Sequence, residues 1–206
     1  MHAAKRNTAL GPQTRDVLLD ATERLLARYG YKKTTMDDVA REAGIGKGSI
    51  YLYFPSKEEL ALSSIDRIVD RLLERLRKIA RSQDSPAQRL RDMLLTRILF
   101  RFDSVHDYSQ SLDDLLASLR SAYLARRQRY FDAEAEVLAA VLREGRDAHM
   151  FTCEDVLATA HTLLLATNAL LPSGLSAREL GKRKDVQEKA ARIADLLLNG
   201  LLRRTS

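Results

Sequence analysis

The sequence predicts an all-α protein, and three observations carry that prediction. Leu, Ala and Arg, all strong helix formers, supply 35, 26 and 25 of the 206 residues. Nine Gly and four Pro leave few places to turn a β-meander. Apolar residues recur at helical spacing between recognisable start and stop signals along most of the chain. The length allows one or two domains, at about 100–200 residues each, with a real core. The single cysteine, Cys153, excludes a disulfide framework and a Cys-based zinc site, and fits a reducing compartment. No apolar run approaches the roughly 20 residues that cross a bilayer. The best one, Leu163 to Leu171, is broken by Thr167 and Asn168. Lys5 and Arg6 are followed by no apolar segment, so the N-terminus does not read as a signal peptide. A cytoplasmic protein is expected.

The elements follow in order. Leu18, Ala21 and Leu25, with Val17 and Leu26, repeat at helical spacing, and Gly30 stands where a C-terminal cap belongs. Thr35 opens a short helix with Asp38 three residues on, and that helix ends at Gly44. A further short helix runs from Gly46 to Phe54 and is closed by Pro55. Ser56 and Glu59 form a capping box for a long helix through Ala80, with Leu62, Ile65, Val69, Leu72, Leu73 and Leu76 on one face. Ser85-Pro86 starts the next, with Leu90, Met93, Leu94, Ile98 and Phe102 on one stripe. Ser104 or Ser111 opens another, and a long helix from Leu112 or Ala122 reaches Glu144. Thr152 and Asp155 begin one that extends to Leu171, and Asp185 with Glu188 caps the last, through Leu202. Nine helices are expected in all.

The net charge is +6 and the isoelectric point near 9.5, a balance that favours an anionic partner. Its distribution is less pointed. Residues 1–60 hold 10 Lys and Arg against 8 Asp and Glu, and the remainder 24 against 20. Local pattern decides more. Between Thr34 and Leu60, two short helices meet across Gly44-Ile45-Gly46, with Val39, Ala40, Ile45 and Ile50 to hold them together. A helix-turn-helix with glycine in its turn is the shape that fits one helix into a major groove roughly 12 Å wide. The second helix begins with Lys47, Gly48 and Ser49, small or extended groups that admit close approach of DNA.

These residues, with Thr14-Arg15, Ala21, Tyr29-Gly30-Tyr31 and Thr34-Thr35-Met36 before them, carry a resemblance. So do Gly48-Ser49-Ile50-Tyr51-x-Tyr53-Phe54 and Ser56-Lys57-Glu58-x-Leu60. Residues 12–71 resemble the DNA-binding domain of the TetR family of bacterial transcriptional regulators. Residues 72–206 then correspond to a ligand-binding and dimerisation domain, similar to the family in length, helix count and the phrase Leu142-Arg143-Glu144-Gly145…Phe151. His149 departs from the family pattern there, standing where glycine is common; a positive φ at that position is tolerated by His at some cost.

The resemblance implies a homodimer on a pseudo-palindromic double-stranded operator, with one recognition helix per subunit in successive major grooves. Carried onto this chain, Lys47 and Gly48 face base edges, Lys47 being the candidate for guanine O6 and N7. Ser49, Tyr51, Tyr53 and Lys57 hold phosphates, as does Thr35 at its helix N-terminus. Each has a plainer reading: Tyr51 as core filler beside Ile50, Thr35 as a cap, Lys5 and Arg6 as a solvated tail instead of a DNA-binding arm. The resemblance further implies a small-molecule effector, bound in the second domain, that changes the spacing of the recognition helices through the helix from Lys57 to Ala80. The polar candidates for that pocket are Arg97, Arg101, His106, Tyr123, Tyr130, His161 and Asn168, with Asp103 and Tyr108 nearby. The paired arginines lean towards an anionic or acyl-type ligand, although an Arg beside a core stripe commonly reaches water or an acid. Val156, Ala160, Leu163, Leu164 and Thr167, with Ile193, Leu197 and Leu201, are the candidate dimer faces of a four-helix bundle.

An enzyme is the competing class. Its four His are scattered, and His149 and Cys153 have no third metal ligand beside them. No phosphate-cradling loop, nucleophile elbow or His-Glu-x-x-His occurs, so no catalytic residues, metal or cofactor are expected. A constitutive DNA binder and an activator remain open alternatives to an effector-released repressor.

Overall fold

The computed structural model describes residues 11–106, 112–171 and 181–201, without side chains from 105 to 117. Lys5, Arg6 and Tyr108 lie outside the described residues, as does the side chain of His106. The described residues form eight α-helices and one 3-10 turn. They are α1 (Pro12–Lys33), α2 (Met36–Glu42), α3 (Lys47–Ile50), α4 (Lys57–Ala80), α5 (Pro86–His106), α6 (Leu112–Asp147), α7 (Val156–Thr167), the turn Asn168–Leu170, and α8 (Arg183–Leu201).

Local signals set most boundaries. Pro12 occupies the first turn of α1, where its missing N–H has no partner to lose. Gly30 has φ 76, a left-handed conformation that kinks α1 and leaves one further turn, closed by the Thr34 N–H on the Gly30 carbonyl. Thr35 and Asp38 cap α2 reciprocally. Ser56 accepts from the Glu59 N–H at the head of α4, but the Glu59 carboxylate does not return to complete the expected box. It pairs with Arg126 on α6 instead, at 2.7 Å. Asp155 accepts from the N–H groups of Leu157 and Ala158 and starts α7. Helix α8 begins at Arg183, so Asp185 sits in its first turn, favourable to the helix dipole, and does not act as its cap. Helix α6 is continuous from Leu112, the earlier of the two expected starts.

His149 has φ 57, and it is the one described non-glycine residue in the left-handed region. It reverses the chain after α6, where the N–H groups of Met150 and Phe151 both reach the Gly145 carbonyl. Gly145 itself is obligatory: a Cβ there would stand 2.2 Å from the Phe151 ring.

Two main cores result. Leu18, Leu19, Val39, Ala40, Ile50, Phe54 and Leu60 close a small one from α1 to the start of α4. A larger one joins Leu72 and Leu76 of α4 to Leu90 and Leu94 of α5, Leu138 and Leu142 of α6, Leu163 and Leu164 of α7, and Leu198 of α8. Each fully buried Leu contributes about 1.5–3 kcal/mol relative to exposure. The expected division at residue 71/72 falls inside α4, which therefore belongs to both cores.

Candidate nucleic-acid interface and the helix behind it

Helix α3 is one turn long and two-faced. Ile50 is fully buried, and Phe54 just beyond it nearly so, which anchors the segment on α1 and α2. That leaves Lys47, Gly48, Tyr51 and Leu52 on the outside, with Tyr51 49% and Leu52 69% exposed. Ser49 is half-buried. The aromatic residue packed against the small core is Tyr53, not Tyr51. A Cβ on Gly48 would meet no atom of the chain within 4 Å, so nothing inside this molecule requires glycine at that helical position. The Lys47 ammonium lies 2.5 Å from Asp37 of α2, which raises its pKa by hydrogen bonding first and charge second. Both side chains face solvent, so the pair is readily exchanged. The Thr35 hydroxyl is engaged in the α2 cap, donating to Asp38 at 2.6 Å. Lys57 is half-buried with its ammonium 4.3 Å from the centre of the Tyr31 ring, and burial lowers its pKa.

Helix α4 leaves this surface and is tied to three neighbours. Asp66 accepts from Arg126 at 2.5 Å, Arg129 at 3.2 Å and the Tyr130 hydroxyl, all on α6. The next residue, Arg67, pairs with Asp20 at 2.8 Å and Glu23 at 2.7 Å on α1. Consecutive residues of one helix thus hold opposite partners. Burial, then the bond to Asp66, pushes the Tyr130 phenol far above its ordinary value, so it stays a donor. At the far end, Arg89 of α5 donates to the Ala80 carbonyl at 2.7 Å and also pairs with Glu144 of α6.

Five of the seven predicted pocket residues meet around one cavity between α5, α6 and the 3-10 turn after α7: Arg97, Arg101, Tyr123, Tyr130 and Asn168. His161 does not line it. Its ring stacks on Phe131, 5.2 Å between centroids, and its Nε2 lies 3.2 Å from Asp132. Arg97 neither reaches water nor stands free: it is 1% exposed and bound to Glu134, also 1% exposed, at 2.5 Å. Sequence reasoning missed Glu134, Asp66 and Arg126. The available signal was an acid in the middle of the α6 stripe, four residues from both Tyr130 and Leu138.

The expected dimer residues of α7 need correction. Val156, Ala160, Leu163, Leu164 and Thr167 are all buried within the single chain, because that face covers α5 and α6. Of the α8 set, Ile193, Leu197 and Leu201 are half-buried. The apolar residues left outward are Leu157, Leu165 at 60% exposure, and Leu196 at 74%. Among the described residues no three His, Cys, Asp or Glu side chains gather as a metal site, and no helix is long and apolar enough to cross a membrane.

Comparison with known proteins agrees with this geometry. Residues 18–63 match the profile of the bacterial regulatory proteins, tetR family. The chain is 30% identical over 161 residues to the HTH-type transcriptional regulator YfiR of Bacillus subtilis, spanning 73% of this chain and 74% of YfiR. It is 30% identical over 118 residues to the transcriptional repressor KstR2 of Mycobacterium tuberculosis, spanning 56% and 59%. Another match, to YuxN of Bacillus subtilis, is 36% identical over 78 residues and spans only 27% of that protein. A transcriptional regulator from Cytophaga hutchinsonii shares the fold with a TM-score of 0.74 at 21% identity, over 91% of this chain and 98% of that one. SmeT, solved in complex with triclosan, does so with a TM-score of 0.62 at 20% identity, over 93% and 92%. With the helix-turn-helix unit in place and a relative matched over most of both chains, this all-α chain belongs to the TetR family of transcriptional regulators.

Proposed function

We propose that the chain is a DNA-binding repressor that works as a homodimer in the cytoplasm and is released from a pseudo-palindromic operator by a small molecule. The observation that carries this reading is the course of α4. It begins at Lys57 beside the outward face of α3, and it is held at Asp66 by α6, the helix that supplies Tyr123, Tyr130 and Glu134 to the cavity. A ligand that repositions α6 therefore changes the seat of the helix leading to the DNA. Residues 12–71 act as the DNA-binding domain and residues 72–206 as the effector and dimerisation domain. Repression is the activity named for KstR2, and a bound small molecule is named for SmeT.

Lys47 reads a base after exchanging Asp37 for guanine, and Gly48 lets the backbone approach the groove floor. Ser49, Tyr51, Tyr53 and Lys57 hold phosphates, while Thr35 serves first as a cap. The dimer forms through Leu157 and Leu196, with Ile193, Leu197 and Leu201 at the edge, because they are apolar side chains that α7 and α8 leave wholly or partly outward.

The test is fluorescence anisotropy of the purified protein on the duplex upstream of its own gene, against a random duplex at stated, near-physiological salt. Preferential binding at two subunits per site supports the reading. Equal, salt-labile binding to both duplexes, or one subunit per site, overturns it. Lys57→Ala is expected to lower the salt slope by about one unit on either duplex.

A further inference from the structure

The cavity between α5, α6 and the 3-10 turn after α7 holds a surplus of positive charge. Glu134 gives one carboxylate oxygen to Arg97 and the other to Arg101. Arg97 is satisfied on every side. Its Nε–H goes to Glu134, and its terminal nitrogens donate to the Thr167 hydroxyl at 2.9 Å, the Leu164 carbonyl at 3.4 Å and Asn168 Oδ1 at 2.6 Å. Burial pulls its pKa down to about 10, with the Glu134 charge opposing that fall, so it stays cationic at neutral pH. One carboxylate neutralises one guanidinium. Arg101, 18% exposed on the cavity side of α5, shares that same carboxylate, so the two arginines and Glu134 together keep one positive charge. Arg127 lines the same cavity from α6, and no described residue pairs with it.

The cavity itself measures about 20 Å³, room for a single water. It shares Arg127, Phe131 and Asn168 with an outer groove of about 230 Å³, whose further walls include Leu124 and Leu165. One guanidinium that shares its carboxylate and one that no described residue pairs with therefore stand where a groove walled by Leu124, Phe131 and Leu165, with Gln128 and Asn168 among them, meets the interior. A guanidinium fork matches a carboxylate bidentately, and an apolar groove of this size takes a short hydrocarbon or a ring.

We propose that this groove receives a carboxylate ligand with an apolar body, a medium-chain or aromatic organic acid, whose head group bridges Arg101 and Arg127. The assignment rests on the ligand-responsive reading above and names the chemistry of its effector. Glu134 is the internal stand-in: with the ligand in place, Arg101 turns from Glu134 to the incoming carboxylate, while Arg97 keeps Glu134 for itself. The body of the ligand lies against Phe131 and Leu165, between α6 and α7.

The test is isothermal titration of the full chain with decanoate and 3-phenylpropanoate, using decan-1-ol and decylamine as neutral and cationic controls. Both acids are expected to bind, and the controls about 10- to 100-fold more weakly, the loss expected of a charge-assisted hydrogen-bonded pair. Arg101→Gln and Arg127→Gln should each weaken decanoate about tenfold, leave decan-1-ol unchanged and keep the melting temperature, with Arg101→Lys recovering part of the loss. The alcohol binding as tightly as the acid, neither acid binding the folded protein, or the two Gln variants binding decanoate as the parent does would each overturn the proposal. The same samples are then read by anisotropy on operator DNA. An acid that binds without releasing DNA leaves the carboxylate site standing and removes the release mechanism. A neutral compound that binds and releases DNA does the reverse.

Discussion

The two ends of the molecule use charge in opposite ways. Around the helix-turn-helix, ion pairs are short in sequence and open to water: Lys47 with Asp37, Arg41 with Asp38, Arg24 with Glu42. In the helical body they span the chain and are wholly or partly enclosed: Arg97 with Glu134, Arg126 with Asp66, Arg89 with Glu144. An exposed pair contributes little and exchanges readily, as the proposed phosphate contacts require. A buried pair adds little net stability yet is costly to break singly, so it fixes which helices sit together. One end holds its ion pairs loosely, the other keeps them enclosed.

The sharpest way to break this contrast is Glu134→Ala. It leaves Arg97 buried without a counter-charge, and urea unfolding should show a loss of about 3–5 kcal/mol. Asp37→Ala, by contrast, should leave the unfolding curve in place. Equal effects of the two would show that burial does not separate the regions. Next in size, Lys47→Ala should cost about 10- to 100-fold in operator affinity and relax selectivity at one base pair. Equal losses on operator and random duplex would move Lys47 from bases to phosphates. Asp66→Asn should preserve operator binding by the free protein while reducing ligand-induced release by about 5- to 100-fold, since it weakens the tie between α4 and α6; an unchanged release ratio would take Asp66 out of the coupling. Two smaller effects sharpen the comparison through backbone alone. Gly48→Ala should stabilise the fold by about 0.5–1 kcal/mol and still weaken operator binding, because the space beside Gly48 is empty only until DNA fills it. His149→Gly should also gain about 0.5–1 kcal/mol by relieving the left-handed φ, with no change in DNA binding. A Gly48→Ala variant that binds DNA normally would mean that no close approach occurs there.

What could be read from the sequence follows the same division. The caps at Thr35 and Asp155 and the turn at Gly44 are decisions made within a few residues, and pattern exposes them, whereas Gly30 kinks α1 before its end instead of capping it and the backbone at His149 stands out only against the family pattern. Arg97 beside an apolar stripe and Tyr130 a heptad from Tyr123 were legible as pocket candidates, but their partners Glu134 and Asp66 lie 37 and 64 residues away, and spacing says nothing across such gaps. Helix α7 failed for a related reason. Its composition is apolar nearly all round, so periodicity could not say which face meets α5 and α6 and which is left outward. Capping logic misplaced Glu59 because a carboxylate with two suitors took the arginine from α6 over its own backbone.

Asp66 and Arg67 lie side by side near the middle of α4, each bound to a different helix, and this makes the pair a fulcrum. At 1.5 Å per residue, the arm from Asp66 to Lys57 is roughly 13 Å and the arm from Asp66 to Ala80 roughly 21 Å. The longer arm ends where Arg89 clamps the Ala80 carbonyl. Geometry then sets the gearing: a shift at the clamped end is scaled down by about a third at the end beside α3, and its direction is reversed. A tilt on the order of 10° moves that end by about 2 Å, comparable to the length of a hydrogen bond. On the function proposed above, a modest push inside the helical body reaches the Lys57 end of α4 as a shorter, stiffer displacement.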